Sequence, residues 1–300
     1  MDRVHNLKQA LPYIQQHRGK IFVIKLGGRI FTKPEALRSL SQDIVLLHNV
    51  GIHVVVVHGG GPQLNELANR LDVPQHIVGG RRVTDEQTLD LAKMMFRGKL
   101  NLELVSALRE AGAQAVGLSG NDGSLIEATR RHPVDVVKED GSTTQVDFGH
   151  VGDIAKINTE VITALTQANF VPVICSLGAT RTGGVLNVNA DTIAQHLAIA
   201  LGADKLFLLT DQQGLFEKLG DPSSLVSYCD CNDLEQMIQS KAISGGMKPK
   251  ILAALAALKN GVNKVHMVSA FQPSSLLLEV FTNEGCGTLI VPHKHEGVEL

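Results

Sequence analysis

The 300-residue chain has no excess of charge of either sign: 28 Lys+Arg stand against 30 Asp+Glu, a formal net charge of -2, and no basic block stands out. That removes the electrostatic footprint of a nucleic-acid-binding protein and points to a small ligand. No apolar run approaches the roughly 18 residues that span a bilayer. The first residues carry Asp2, Arg3, His5 and Lys8 where a secretory signal needs a continuous apolar core. A cytoplasmic protein with no membrane partner is expected. Cysteine is scarce: Cys175, Cys229, Cys231 and Cys286 lack zinc-ribbon spacing, so a reduced interior with no metal site is expected. Two phosphate-binding signatures are missing as well. Neither Gly19-Lys20 nor Gly98-Lys99 is followed by Ser or Thr with the upstream glycine of a Walker loop, and no Gly-x-Gly-x-x-Gly follows the first strand.

What is present begins with hydrophobic content of 44%, ample for one large α/β domain or two lobes. The most distinctive stretch is Val54-Val55-Val56-Val57-His58-Gly59-Gly60-Gly61-Pro62-Gln63, a β-branched run that stops at three glycines. A buried strand there delivers bare backbone whose N–H groups can converge on an oxyanion. Pro62 can open the helix that follows, with Leu64, Leu67 and Leu71 at helical spacing, so the loop would sit at a positive helix end. Ile21-Phe22-Val23-Ile24 reads as an earlier strand running into Lys25-Leu26-Gly27-Gly28, a second glycine pair with a cation just before it.

Strand and helix patterns alternate nearly throughout, which argues a mostly parallel sheet covered on both faces, with ligands beyond the carboxyl ends of its strands. Before the first strand, Val4, Leu7, Leu11 and Ile14 place an apolar stripe on a helix spanning residues 2–17. It either packs locally or meets another subunit. Arg82 follows Gly79-Gly80 just outside a helix start capped by Thr84 or Asp85, well placed to grip a carboxylate. The turn-rich segment 126–153 reads as hairpins on the edge of the sheet. Residues 178–184 are the most linker-like, and we place a boundary there: a helix at 1–18, one lobe at 19–177 and a second at 178–300. Asn187-Val188-Asn189-Ala190-Asp191 opens a helix, and an asparagine or Asp191 could serve as its cap. Thr210-Asp211 ends another strand, and Gly245-Gly246-Met247-Lys248-Pro249-Lys250 sets a further lysine at a glycine-marked helix start.

Glycine loops at several strand ends, with Lys25, Lys250 and Asp191 nearby, suit phosphoryl transfer, whose catalysis is mainly positioning and electrostatic stabilisation. His58-Gly59-Gly60-Gly61 also looks like an esterase oxyanion loop, but Ser119 in Gly117-Leu118-Ser119-Gly120-Asn121 lacks the final glycine of a nucleophile elbow. An amino-acid-binding module without turnover is the third reading.

The ordered set Val23-Ile24-Lys25-Leu26-Gly27-Gly28, Val57-His58-Gly59-Gly60-Gly61-Pro62-Gln63, Gly80-Arg81-Arg82-Val83-Thr84, Gly117-Leu118-Ser119-Gly120, Asn187-Val188-Asn189-Ala190-Asp191, Leu209-Thr210-Asp211 and Gly245 to Lys250 resembles the amino acid kinase family over nearly the whole length. It is most similar to members acting on N-acetyl-L-glutamate. The resemblance implies a three-layer αβα sandwich around a mostly parallel sheet. It assigns the acylamino acid and dimerisation to the first lobe and ATP, with its Mg2+, to the second. Lys25 and Lys250 would neutralise the transferring phosphoryl while Asp191 holds both. Gly60, Gly61, Arg82 and Asn187 would bind the acceptor, and Gly27, Gly28, Thr210, Asp211 and Lys250 the nucleotide. Family members answering to arginine share a helix before the first strand and a similar C-terminal segment, which implies an arginine effector site among Lys205, Glu279, Glu284 and Gly287, and a homo-hexamer rather than a dimer.

Overall fold

A computed structural model describes residues 2–137, 142–218, 221–239 and 246–294; Gly245 and the side chains of Val4 and Leu7 lie outside the described residues. The chain builds a central eight-stranded sheet from β1 (Ile21–Leu26), β2 (His53–His58), β3 (Ala115–Leu118), β4 (Val171–Cys175), β5 (Lys205–Thr210), β6 (Tyr228–Asp230), β7 (Lys264–Ser269) and β8 (Thr288–Val291). In space the order is β6-β8-β7-β5-β1-β2-β4-β3, and every pair is parallel except β7 with β8. The strands are apolar on both faces because both faces are covered, as the alternating pattern anticipates.

One face packs against α2 (Pro34–Asn49), α5 (Asn101–Glu110) and α10 (Ser275–Phe281), with Phe22, Ile24, Val54, Val56 and Phe207 pointing into that layer. The opposite face meets α6 (Glu160–Gln167), α7 (Ala190–Ala200) and α9 (Met247–Lys259) through Val23, Val55, Val57, Leu206 and Leu208. The result is a three-layer αβα sandwich. From β1 the chain first adds β2, β4 and β3 on one side and then crosses to β5 on the other, so the connections diverge between β1 and β5. A crevice opens at such a point beyond the carboxyl ends of the strands.

Two expectations are corrected. Segment 126–153 does not extend the edge of the main sheet. Its strands Ile126–Arg130 and Gly152–Ile157 belong to a separate four-stranded sheet with Leu177–Ala179 and Val185–Asn187. The reason is burial: Leu125, Ile126 and Ala128 pack into the same core as Ile193 and Leu197 of α7, over the face of the main sheet rather than along its edge. Residues 178–184, expected as a linker, lie in the hairpin of that small sheet, and Leu177, Gly178 and Ala179 are buried. The helix before β1, α1 (Asp2–His17), carries Pro12 inside it and lies against α10, where the Tyr13 hydroxyl donates to Asn283 Oδ1 at 2.6 Å. Leu11 is half exposed. Among the described residues no helix is long and apolar enough to cross a membrane.

Gly120 sits where the small sheet leaves the main one, and its N–H donates to Leu177 O at 2.8 Å. A Cβ there would lie 2.6 Å from Gly178 Cα and 2.7 Å from Leu177 O, both backbone atoms that cannot rotate away. Gly120→Ala should therefore lower the unfolding free energy by roughly 1–3 kcal/mol in chemical denaturation. Gly98→Ala, in the middle of a helical run with nothing within 4 Å of the new methyl, should instead raise it by about 0.5–1 kcal/mol.

Candidate active site

Side chains alternate across a strand, so Lys25 shares the face of Val23 and looks into the α7 layer. There it meets Asp191, the second residue of α7, at 2.8 Å from Nζ to Oδ1. Lys250, in the first turn of α9, reaches the same carboxylate from the other side at 3.0 Å to Oδ2 and 3.3 Å to Oδ1. The carboxylate and the first ammonium are each about 5% exposed. Burial is the largest influence on Lys25 and pulls it below the usual lysine range, against the attraction of Asp191. Burial alone would raise Asp191, but the two lysines together outweigh it and hold the carboxyl below its ordinary value. The cluster is thus two ammonium groups fixed by one carboxylate, with one positive charge in excess. The α7 cap is neither Asp191 nor Asn187: it is Asn189, whose Oδ1 accepts from the N–H groups of Asp191 and Thr192 at 2.8 and 3.2 Å. Asp191 is thereby left free of capping and aimed at the lysines.

The two glycine loops lie back to back beside this cluster. A Cβ on Gly28 would stand 2.8 Å from Gln63 Oε1 and 3.1 Å from Gly60 Cα, and one on Gly60 would meet Leu100 Cδ1 at 2.3 Å. Close approach, rather than a positive φ, is what demands glycine here. Gln63 ties the loops together by donating to Gly28 O at 2.7 Å. Gly61 opens α3 (Gly61–Arg70), where a Cβ would meet nothing within 4 Å, whereas one on Gly59 would stand 3.4 Å from Ala190 Cβ at the start of α7.

Arg82 leaves a hairpin whose turn, Gly79-Gly80, has φ of +54° and +74°, as a two-residue primed turn requires. Its guanidinium donates to Gln75 Oε1, Asn65 Oδ1 and Gly61 O, which hold it over the start of α3. Asn187 donates from Nδ2 to Thr84 Oγ1 at 3.1 Å, two residues beyond Arg82. The groups expected to grip an acceptor are therefore bound to one frame with Gly61.

On the nucleotide side, Thr210 ends β5 and closes its turn by donating from Oγ1 to Gln212 O at 2.7 Å. Asp211 pairs with Arg29 at 2.7 Å, so the residue after Gly28 bridges from the end of β1 to the end of β5. Ser119 donates its hydroxyl to Asp122 at 2.8 Å. Its partner is a carboxylate rather than a histidine, which leaves the esterase reading without a nucleophile.

A network that sequence reasoning missed supports the glycine loop. His58, fully buried at the end of β2, accepts at Nε2 from Asn101 Nδ2 at 3.0 Å and therefore carries its proton on Nδ1, which donates to Gly59 O at 3.2 Å. Asn101 also donates to Val173 O at 3.0 Å and accepts from Arg97 at 3.0 Å. The imidazole fixes the orientation of the Gly59 peptide and so aims the N–H that follows.

The residues expected to hold an effector lie at the opposite end of β5. Lys205 Nζ meets His266 Nε2 at 3.2 Å, His266 Nδ1 meets Glu279 Oε2 at 2.7 Å, and Glu279 Oε1 accepts from the N–H groups of Cys286 and Gly287 at 2.6 and 2.7 Å. His266 was not anticipated, and Glu284 is exposed and outside this cluster. Burial brings Lys205 down to about 8 and His266 to about 4.

The sequence profile of the amino acid kinase family matches residues 20–269. The acetylglutamate kinase of Myxococcus xanthus is 49% identical over 95% of this chain and 93% of its own length. Two solved structures of N-acetylglutamate synthase from Neisseria gonorrhoeae superpose closely. The one with coenzyme A and N-acetyl-glutamate has a TM-score of 0.82 at 28% identity, over 97% of this chain and 64% of its own. The one with coenzyme A and L-arginine has a TM-score of 0.80 at 27% identity, over 98% of this chain and 68% of its own.

Burial lowers the His58 pKa to about 4, and the Gly59 carbonyl offsets only part of that. The unfolded chain therefore binds the extra proton first, and the stability that neutral His58 permits is lost as pH falls from its ordinary 6.5 toward 4. His17 and His266 shift the same way. Chemical denaturation at a series of pH values should show stability falling through this window by up to roughly 1.4 kcal/mol per pH unit for each such histidine, with no further fall from these groups below it.

Proposed function

The chain belongs to the amino acid kinase family, and on that premise we propose that it transfers the γ-phosphoryl of MgATP to the side-chain carboxylate of N-acetyl-L-glutamate, giving N-acetylglutamyl 5-phosphate, the second step of arginine biosynthesis. The observation that carries this reading is the pair of lysines held by Asp191 beside two glycine loops. A side-chain carboxylate with a pKa near 4.3 is already ionised at neutral pH, so no general base is needed. The obstacle is repulsion between two anions.

On this reading a carboxylate oxygen attacks the γ-phosphorus as the bond to the β-phosphate oxygen breaks, and ADP leaves. Charge spreads over the transferring oxygens in a loose transition state. Lys25 and Lys250 meet that charge, and Asp191 keeps them together while cancelling only one of their two charges. Gly27, Gly28, Gly60 and Gly61 supply N–H donors, Arg82 and Asn187 grip the acceptor, and Thr210 and Asp211 border the nucleotide. Residues 19–177 then supply most of the acceptor side and 178–300 most of the nucleotide side. The carboxylate at the centre, Asp191, is taken up by the two lysines, so Mg2+ would enter as the counter-ion that ATP brings.

A regulatory reading has its own support. The Lys205–His266–Glu279 cluster lies beneath α10, against which α1 rests. Arginine offers a guanidinium to Glu279 and a carboxylate to the N–H groups near Gly287, in competition with the contacts these groups now make. Such an effector inhibits only by preferring one arrangement of the two halves over another. The half-exposed Leu11 on α1 suits a helix that joins dimers into a hexamer.

In a coupled ADP-release assay, N-acetylglutamate should be turned over in preference to glutamate, aspartate and aminoadipate derivatives. Robust turnover of free glutamate or aspartate, with none of the acetylated compound, would sink the assignment. Lys250→Ala and Asp191→Ala should lower kcat by roughly 10²–10³, whereas Arg82→Ala should chiefly raise KM for the acceptor. Light scattering of the full chain should give six subunits, and arginine should inhibit it while leaving a folded Glu279→Gln variant active. A dimer indifferent to arginine defeats the regulatory reading and leaves the kinase reading standing.

A further inference from the structure

A cavity of about 590 Å³ lies between the first half of α2 and the turn Ala270–Pro273 that follows β7. One wall comes from the β1 side of the sheet and the other from the β7 side. Its size falls within the range of small-molecule sites. Asp43 lines it and is 5% exposed, yet it makes no hydrogen bond or ion pair with any described residue. A buried carboxylate without a partner is costly, and the cost is removed by a cation or by protonation. Burial pushes this carboxyl up only to about 6, so at neutral pH it is still mostly ionised.

The walls narrow the choice of cation. Among the described residues no group of three His, Cys, Asp or Glu side chains is placed to hold a metal ion. The chain's own nearby ammonium, Lys33, rests over the ring of Phe271 at 4.5 Å and forms no ion pair with Asp43. That contact engages the Lys33 ammonium on the Phe271 face and leaves Asp43 without a cation of the chain's own. Glu35 lines the same cavity near the start of α2. It lies eight residues before Asp43, about 12 Å along the helix axis. Between the two carboxylates the lining is largely aliphatic, from residues such as Leu40 and Pro273. One buried anion, one exposed anion and an apolar path between them match an elongated aliphatic molecule charged at both ends.

We propose that this cavity binds an aliphatic polyamine, with one terminal ammonium on Asp43, the alkyl body along α2, and the other terminus at Glu35. The proposal is independent of the kinase reading, because it is tested by binding. Calorimetric titration of the full chain at neutral pH and physiological salt with spermidine should give saturable binding of one molecule per chain, and an uncharged diol of similar length should give none. Asp43→Asn keeps the shape and removes a buried unpaired charge, so it should fold, and it should weaken spermidine at least tenfold. Glu35→Gln, at an exposed position, should weaken spermidine several-fold while leaving the weaker binding of hexylamine unchanged. Absence of saturable binding to the unaltered chain overturns the proposal. So does equal spermidine affinity in either variant, which would show adsorption on carboxylates elsewhere.

Discussion

The arrangement depends on one carboxylate holding two ammonium groups against each other's repulsion in a place where little water reaches. Asp191 can do this only if three separate elements end at the same point: the carboxyl end of β1 with Lys25, the amino end of α7 with Asp191, and the amino end of α9 with Lys250. The crossover between β1 and β5 provides that point, because α7 packs against both of those strands. Breaking such a buried set by removing one partner leaves a charge without compensation, which is far more damaging than the loss of a surface pair. The same constraint explains Asn189. With an asparagine satisfying the first N–H groups of α7, the carboxylate two residues later has no capping duty to compete with the lysines.

The glycines follow from the same convergence. Loops from β1 and β2 meet with Gly28 and Gly60 so close that a methyl on either would collide with the other loop or with the helix behind it. Backbone then forms the floor of the site, and its orientation has to be set by something other than side chains on the loop itself. His58 and Asn101 do so from below, and Gln63 from the side. A neutral imidazole suits the task, since it accepts from Asn101 and donates to Gly59 without adding a charge to a site whose excess is already set by the lysines.

Much of this was legible in the sequence because it is local. The Val54 run followed by glycines, the Lys25 pair and the Lys250 helix start each announce themselves within ten residues, and strand alternation alone faces Lys25 toward α7. The expected site residues Lys25, Asp191 and Lys250 do meet, as do Glu279 and Gly287, while Lys205 reaches Glu279 only through His266. What was hidden is long-range. Asn101 is 43 residues from His58 and 72 from Val173. Its only sequence signal is that a polar side chain falls on the helix face of Leu104 and Leu108, where an apolar one belongs. Asn65 and Gln75 carry no pattern that links them to Arg82. Residues 178–184 look like a linker because they are small and polar, although Gly178 is small in order to lie close to Ala128 and Val188. Composition reports the lack of side chains, and only packing tells whether that lack serves freedom or contact.

The pairing of β1 with β5 also limits how the halves can move. Phe22, Val23, Ile24 and Lys25 are in register with Lys205, Leu206, Phe207 and Leu208, and the rings of Phe22 and Phe207 lie 5.6 Å apart on one face. Separating the halves along that seam would break a buried ladder, and the close-packed cores on both faces resist gradual shear. A twist of one half of the sheet about the seam keeps the ladder intact. Displacement under such a twist grows with distance from the seam. Arg29 and Asp211 reach across between the ends of β1 and β5 as an exposed pair, which salt and solvent screen and which adds little resistance. The lysine–aspartate cluster spans the seam, with Lys25 on β1 and Lys250 on α9 over the β5–β7 side, and so ties the two halves together where a twist would displace them least.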